Sequence, residues 1–242
     1  MTLFWCTHLG EHLTIADSKR AFHNAFPYVI PSLYRRTADE LLVELHLLSH
    51  QKQFKADALF AVGLRQVFNA FTRGYRPEQH LAPLFAALCS CNGFDAKALN
   101  KLADDSEKAV QGHSFDDVQQ WLRDKGEGAP ESMAMVLKRA DQANFHYSRL
   151  MAVGLLTLLA KAKGDEGTDP AELAKLAHEL SEPLGLAKER VEKDLGIYTG
   201  NLERMAQAVE LMEETLAAER RKRERQEEAT VPQGASEEAS TN

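Results

Sequence analysis

Apolar residues recur along the chain at intervals of three and four, and no stretch alternates apolar and polar positions for long. The sequence therefore reads as helices from end to end. Thr14 followed by Asp17 has capping-box spacing, in which two side chains accept the free backbone donors of a first turn. That helix must end before Pro27, because a residue preceding proline is pushed out of the α region. Pro31 suits a first helical position, and Leu33, Thr37, Leu41, Leu45 and Leu48 follow at helical spacing. Asp57 can cap a helix carrying Leu59, Phe60, Leu64, Val67, Phe68 and Phe71, which Gly74 ends. Residues 74–78 read as a turn. Leu84, Leu88 and Cys89 mark the next helix, with Gly93 in its left-handed C-terminal position. Asp95 opens a helix with Leu99 and Leu102. Ser114, three before Asp117, opens one with Val118, Trp121 and Leu122, broken by Gly126 and Gly128.

Residues 130–163 are again helical, with an interruption near Asn144. Positions 150–159 are apolar nearly all round, so that helix is expected at the buried centre of the core. Asp169 and Pro170 start another helix, residues 183–185 end it, and a short helix covers 187–195. Gly164, Gly167, Gly196 and Gly200 read as helix punctuation. The last helix is expected to begin near Tyr198 or Asn201 and to run to about Glu228. Leu202, Met205, Val209, Met212 and Leu216 are spaced like a coiled-coil seam that fades at Glu219. The predicted fold class is all-α, a multi-helix globular body with a long C-terminal helix of coiled-coil character. The expected divisions are an N-terminal extension (1–13), the helical body (14–200), the long C-terminal helix (201–228) and a disordered polar tail (229–242).

Composition narrows the function classes. With 44% apolar and 27% charged residues over 242 positions, the chain is an ordinary globular protein with enough length for a real core. A net charge of −7 argues against broad nucleic-acid binding. Three cysteines, Cys6, Cys89 and Cys91, make no disulfide scaffold, which fits a reducing compartment. The longest apolar stretch, 150–160, is well short of the ~20 residues of a spanning helix. Residues 1–13 lack the basic region and cleavage site of a signal peptide.

Candidate chemistry is sparse. His46 and His50, four apart, could face one side of a helix and hold a metal, but no third ligand is placed, and two ordinary helical histidines fit as well. His8 and His12 share that spacing around Gly10. Cys89 and Cys91 are not a Cys-x-x-Cys pair, and Cys89 suits a small core position. No phosphate-binding glycine loop or nucleophile elbow occurs. Arg35 with Asp39 and Arg36 with Glu40 have the spacing of solvent-face ion pairs. No catalytic residue, metal or cofactor is therefore expected. Arg220, Arg221, Lys222, Arg223 and Arg225 place five positive charges against one negative. That run is either a solvated helix end or a contact for an anionic lipid surface or acidic partner.

Four blocks in order carry a resemblance: IPSLYRR at 30–36 with ELLVELHLLS at 40–49, GYRPE at 74–78, FHYSRL at 145–150 running on through Gly154 and Leu155, and ERVEKDL at 189–195 with NLERMAQA at 201–208. Together they resemble the thylakoid formation protein family of cyanobacteria and chloroplasts, over roughly 14–225. The resemblance implies an all-helical, non-enzymatic accessory protein of photosystem II biogenesis and repair and of thylakoid organisation. It implies association with the membrane-bound FtsH protease complex and photosystem II-related membrane proteins, with no nucleic acid. The expected location is cytoplasmic, peripheral to the cytoplasmic face of the thylakoid membrane, in a cyanobacterial setting. Within the blocks, Tyr34, Arg35, Arg36, Tyr147 and Arg149 are either packing and ion-pair residues or parts of a docking surface.

Overall fold

The computed structural model describes residues 13–140, 142, 145–164, 175, 181 and 187–230, with side chains as far as 226. Among them are nine α-helices and no strand: α1 (Ile15–Ala25), α2 (Ser32–Ser49), α3 (Ala58–Phe71), α4 (Leu81–Ser90), α5 (Ala96–Gln111), α6 (Phe115–Arg123), α7 (Glu131–Ala140), α8 (Arg149–Lys163) and α9 (Lys188–Thr230). The chain divides into two units, Met1–Leu202 and Glu203–Asn242, the second being the outer part of α9 as far as it is described.

Helix starts follow local chemistry. Thr14 and Asp17 cap α1 reciprocally, and Ser114 and Asp117 do the same for α6. Asp57 accepts from Phe60 N at 3.0 Å to start α3, and Asp95 accepts from Lys97 N and Ala98 N to start α5. After α4 the backbone at Gly93 takes φ +80°, a conformation that costs other residues a Cβ clash. Pro31 stands one residue before α2 rather than inside it.

The core is built on α3 and α8, the most extensive helix pair among the described residues. Every residue from Ala58 to Leu64 is buried, and so is every residue from Leu150 to Leu156. Position 150–159 is central, as its all-round apolar pattern predicts, but it shares the centre with α3. The two backbones touch. A Cβ on Gly63 would collide with the Leu150 carbonyl oxygen and lie 2.9 Å from Gly154 N. A Cβ on Gly154 would collide with the Leu59 carbonyl oxygen and lie 3.1 Å from Gly63 N. With only hydrogen at both sites, each glycine presents Cα–H to the other helix's carbonyl, a weak but favourable contact.

Side chains tie further helices to α3 and to one another. Arg65 on α3 meets Glu107 of α5 at 2.7 Å and also pairs with Asp104. Asp57, besides capping α3, pairs with Arg139 of α7. Asn92, just beyond α4, donates to the Leu88 carbonyl at 3.0 Å and reaches the Leu42 carbonyl of α2.

The C-terminal third differs from expectation. No break separates a helix over 187–195 from a later one; α9 runs unbroken from Lys188, and Gly196 and Gly200 lie inside it. Gly196 costs the helix only about 1 kcal/mol, while Val191, Leu195 and Tyr198 around it are buried and Tyr198 meets Phe71 edge-on at 6.2 Å. Gly164, by contrast, does end α8. On the seam, Met205 and Val209 are buried, Leu202 and Met212 half-buried and Leu216 exposed. Asn144, Gly167, the helix expected from Asp169 and Pro170 to 183–185 apart from the helical positions 175 and 181, the extension at 1–12 and the tail from 231 lie outside the described residues.

These glycines differ sharply in what an added methyl would do. Gly63→Ala or Gly154→Ala should destabilise by about 3 kcal/mol or more, because two backbones must separate. Gly196→Ala, whose Cβ meets nothing within 4 Å, should stabilise by about 0.5–1 kcal/mol. Urea denaturation of the three variants checks both signs.

Candidate functional site

Three distant stretches meet at the start of α8. Buried Ser148 caps that helix by accepting from Leu150 N at 3.2 Å, which fixes the residues on either side of it. On one side, Arg149 donates to Glu44 Oε2 of α2 from Nε at 2.8 Å and lies within 2.6 Å of the same oxygen through Nη2. On the other, the Tyr147 hydroxyl donates to Asp194 Oδ2 of α9 at 2.9 Å. The Arg190 guanidinium lies 4.9 Å from the centre of the Tyr147 ring, a cation–π contact. Two carboxylates and two guanidiniums thus gather at this joint, and their formal charges cancel.

Burial shapes the titration of this cluster. The Glu44 side chain is only 14% exposed. Burial raises its carboxyl above the ordinary value, Arg149 pulls it back, and Asp194 and Glu40 add to the rise. Burial and then the Asp194 charge push the Tyr147 phenol far above its ordinary value, so it stays a proton donor at any physiological pH. Hydrogen bonding to Glu44 strengthens the charge on Arg149.

The cluster continues along α2. Arg36, Glu40 and Glu44 are four apart and share one side of the helix. Arg36 Nε donates to Glu40 at 2.8 Å, so the two neighbouring carboxylates, Glu40 and Glu44, are flanked by Arg36 at one end and Arg149 at the other. The sequence-selected residues therefore separate. Arg36, Tyr147 and Arg149 belong to this strip. Arg35 is exposed beside it, reaching the Ile30 carbonyl at 3.4 Å. Tyr34 is 2% exposed, donates to the Arg73 carbonyl at 3.1 Å and packs on the Tyr75 ring at 5.0 Å. Of its two readings, packing describes where it sits. Glu44, Arg190 and Asp194 were missed as individual residues, because nothing in local spacing links them to Tyr147 or Arg149.

Of the remaining candidates, His46, Cys89 and Cys91 are packed in the interior. His46 is buried with Nδ1 2.9 Å from Ser18 Oγ of α1, and His50 Nδ1 lies 2.8 Å from the His46 carbonyl oxygen. Among the described residues no three His, Cys, Asp or Glu side chains gather where a metal could be held. His8 and His12 lie outside them. Burial raises the Cys89 thiol to about 12 and the Cys91 thiol to about 11, the opposite of an activated cysteine. Arg220, Arg221, Lys222, Arg223 and Arg225 are all exposed on α9.

The model of the family described as thylakoid formation protein matches residues 14–227. The chain belongs to the thylakoid formation protein family. Protein Thf1 of Prochlorococcus marinus (strain MIT 9313) is 60% identical over 96% of both chains. Protein Thf1 of Parasynechococcus marenigrum (strain WH8102) is 56% identical over 90% of this chain and 95% of its own. A solved structure of Psb29 is 33% identical, covers 87% of this chain and 98% of that chain, and superposes with a TM-score of 0.75. The all-helical fold of this thylakoid formation family member is thus shared with Psb29, and all four motif blocks fall inside the matched residues. No described helix is long and apolar enough to cross a membrane.

Removing Arg149 should give a pH-dependent loss of stability. In Arg149→Gln, Glu44 keeps its burial and its two acidic neighbours, so its carboxyl rises further. The native state then holds a proton that the unfolded chain releases above about pH 4.3. Stability therefore falls as pH rises. The expected loss is about 2 kcal/mol at about pH 8, below a fully buried pair because Arg149 is 46% exposed. It should shrink toward about pH 5. Urea denaturation at both pH values tests this, and an equal loss at both would contradict it.

Proposed function

We propose that this chain is a non-enzymatic accessory factor of photosystem II biogenesis and repair and of thylakoid membrane organisation. In this reading it binds and stabilises thylakoid FtsH protease complexes from the cytoplasmic face of the membrane. The observation that carries the proposal is the charged strip of α2 and α8, together with membership of a thylakoid formation family. Exposed Arg36 and Arg149 stand on two helices of the packed body. Arginine held on a rigid surface is favoured at protein interfaces, since it covers area and makes several polar contacts. A partner that binds only the assembled protease stabilises that assembly by mass action, so no chemistry of its own is required.

Affinity purification tests the proposal. Tagged protein from solubilised thylakoids should recover FtsH. Arg35→Glu with Arg36→Glu should reduce recovery about tenfold while costing no more than about 1 kcal/mol of folding stability, from losing the Arg36–Glu40 pair and setting a like charge beside Glu40. Failure of the unaltered protein to recover FtsH would overturn the reading.

The five exposed basic residues at 220–225 favour a second reading, peripheral contact with anionic lipid. At about 100° per residue, these positions surround the helix instead of lining one face, with Glu224 among them and Glu219 just before them. The contact would be electrostatic, without an inserted apolar face. Flotation with anionic vesicles, lost when the five become Gln, would support it, whereas equal flotation with neutral vesicles would not.

A further inference from the structure

We propose that the outer part of α9 pairs in antiparallel fashion with the same segment of a second copy of this chain. The observation is the order of charge along one exposed stretch of helix. From 203 to 219 the acidic residues are Glu203, Glu210, Glu213, Glu214 and Glu219 against Arg204, a net −4. From 220 to 225 the net is +4. Two oppositely charged stretches on one helix are self-complementary only when the second helix runs the other way, and Glu227 and Glu228 beyond them reduce the net charge of 220–228 to +2. Parallel pairing sets acid on acid and base on base.

One register satisfies the charges without strain on the axis. With the two-fold between Ala217 and Ala218, Glu210, Glu213 and Glu214 of one copy face Arg225, Lys222 and Arg221 of the other. The symmetry repeats the set, giving six opposed pairs. All six side chains in that set are exposed in the single chain. The alanines at the axis let the helices approach closely. Leu216 beside it is 56% exposed and would be covered. Exposed ion pairs are individually weak and screened by salt, so the dimer is weak and strongly salt-dependent. This pairing stands independently of the partner proposed above, because it uses none of the α2 and α8 strip.

Sedimentation velocity of the full chain tests it. At about 100 µM chain and about 0.01 M salt, where the screening length is about 30 Å, dimer should be present, and it should dissociate at about 0.5 M salt. Exchanging the acidic half (Glu210→Lys, Glu213→Lys, Glu214→Lys) should weaken dimerisation about tenfold or more. Adding Arg221→Glu, Lys222→Glu and Arg225→Glu to those changes should restore it, because both halves are then reversed together. Helical circular dichroism of each variant confirms folding. A wild-type chain that stays monomeric at low salt overturns the proposal. So does a half-exchanged chain that dimerises as before, or a fully exchanged chain that does not.

Discussion

The rest of the fold depends on the approach of α3 to α8. Helices usually meet through side chains, which can adjust by changing rotamer. Here Gly63 and Gly154 bring backbone against backbone, and the facing groups are the carbonyls of Leu150 and Leu59. That closeness lets the leucines and valines on either side interlock as one core. It also sets where Asp57, Arg65 and Ser148 stand, and through them α7, α5 and the polar cluster. Because a carbonyl cannot be exchanged by mutation, neither glycine has a partner residue whose change could relieve a clash.

The polar cluster is the counterpart of that apolar contact. It joins α2, the start of α8 and the first turns of α9 through hydrogen bonds of 2.6–2.9 Å. Partly buried charges are costly alone, and here each carboxylate faces a guanidinium or phenol. Such a joint is directional where the glycine contact is steric. The three motif blocks that meet in it therefore serve one structural purpose before any role on the surface.

Much of the architecture was legible because its causes are local. Thr14 and Asp17, Asp57, Asp95, and Ser114 and Asp117 act within three residues of themselves, so their sequence spacing is their structure. Gly63 gave no such signal, since its reason is a carbonyl on another helix. Gly196 misled in the opposite direction: local propensity reads it as an end, while the buried Val191, Leu195 and Tyr198 hold the helix through it. In the charged strip, Arg36 and Glu40 were visible as a pair, but Glu44 with Arg149 and Tyr147 with Asp194 are joined only by the fold.

The two cysteines beside α2 illustrate what that packing does to reactivity. Only a thiolate attacks oxidants and alkylating agents, and with thiols raised to about 12 and about 11 almost none forms at neutral pH. Cys89 and Cys91 are therefore shielded twice, by inaccessibility and by protonation. Both protections vanish together when α4 lifts from its neighbours. Their chemical silence is a property of the closed state, and their labelling would clock its opening.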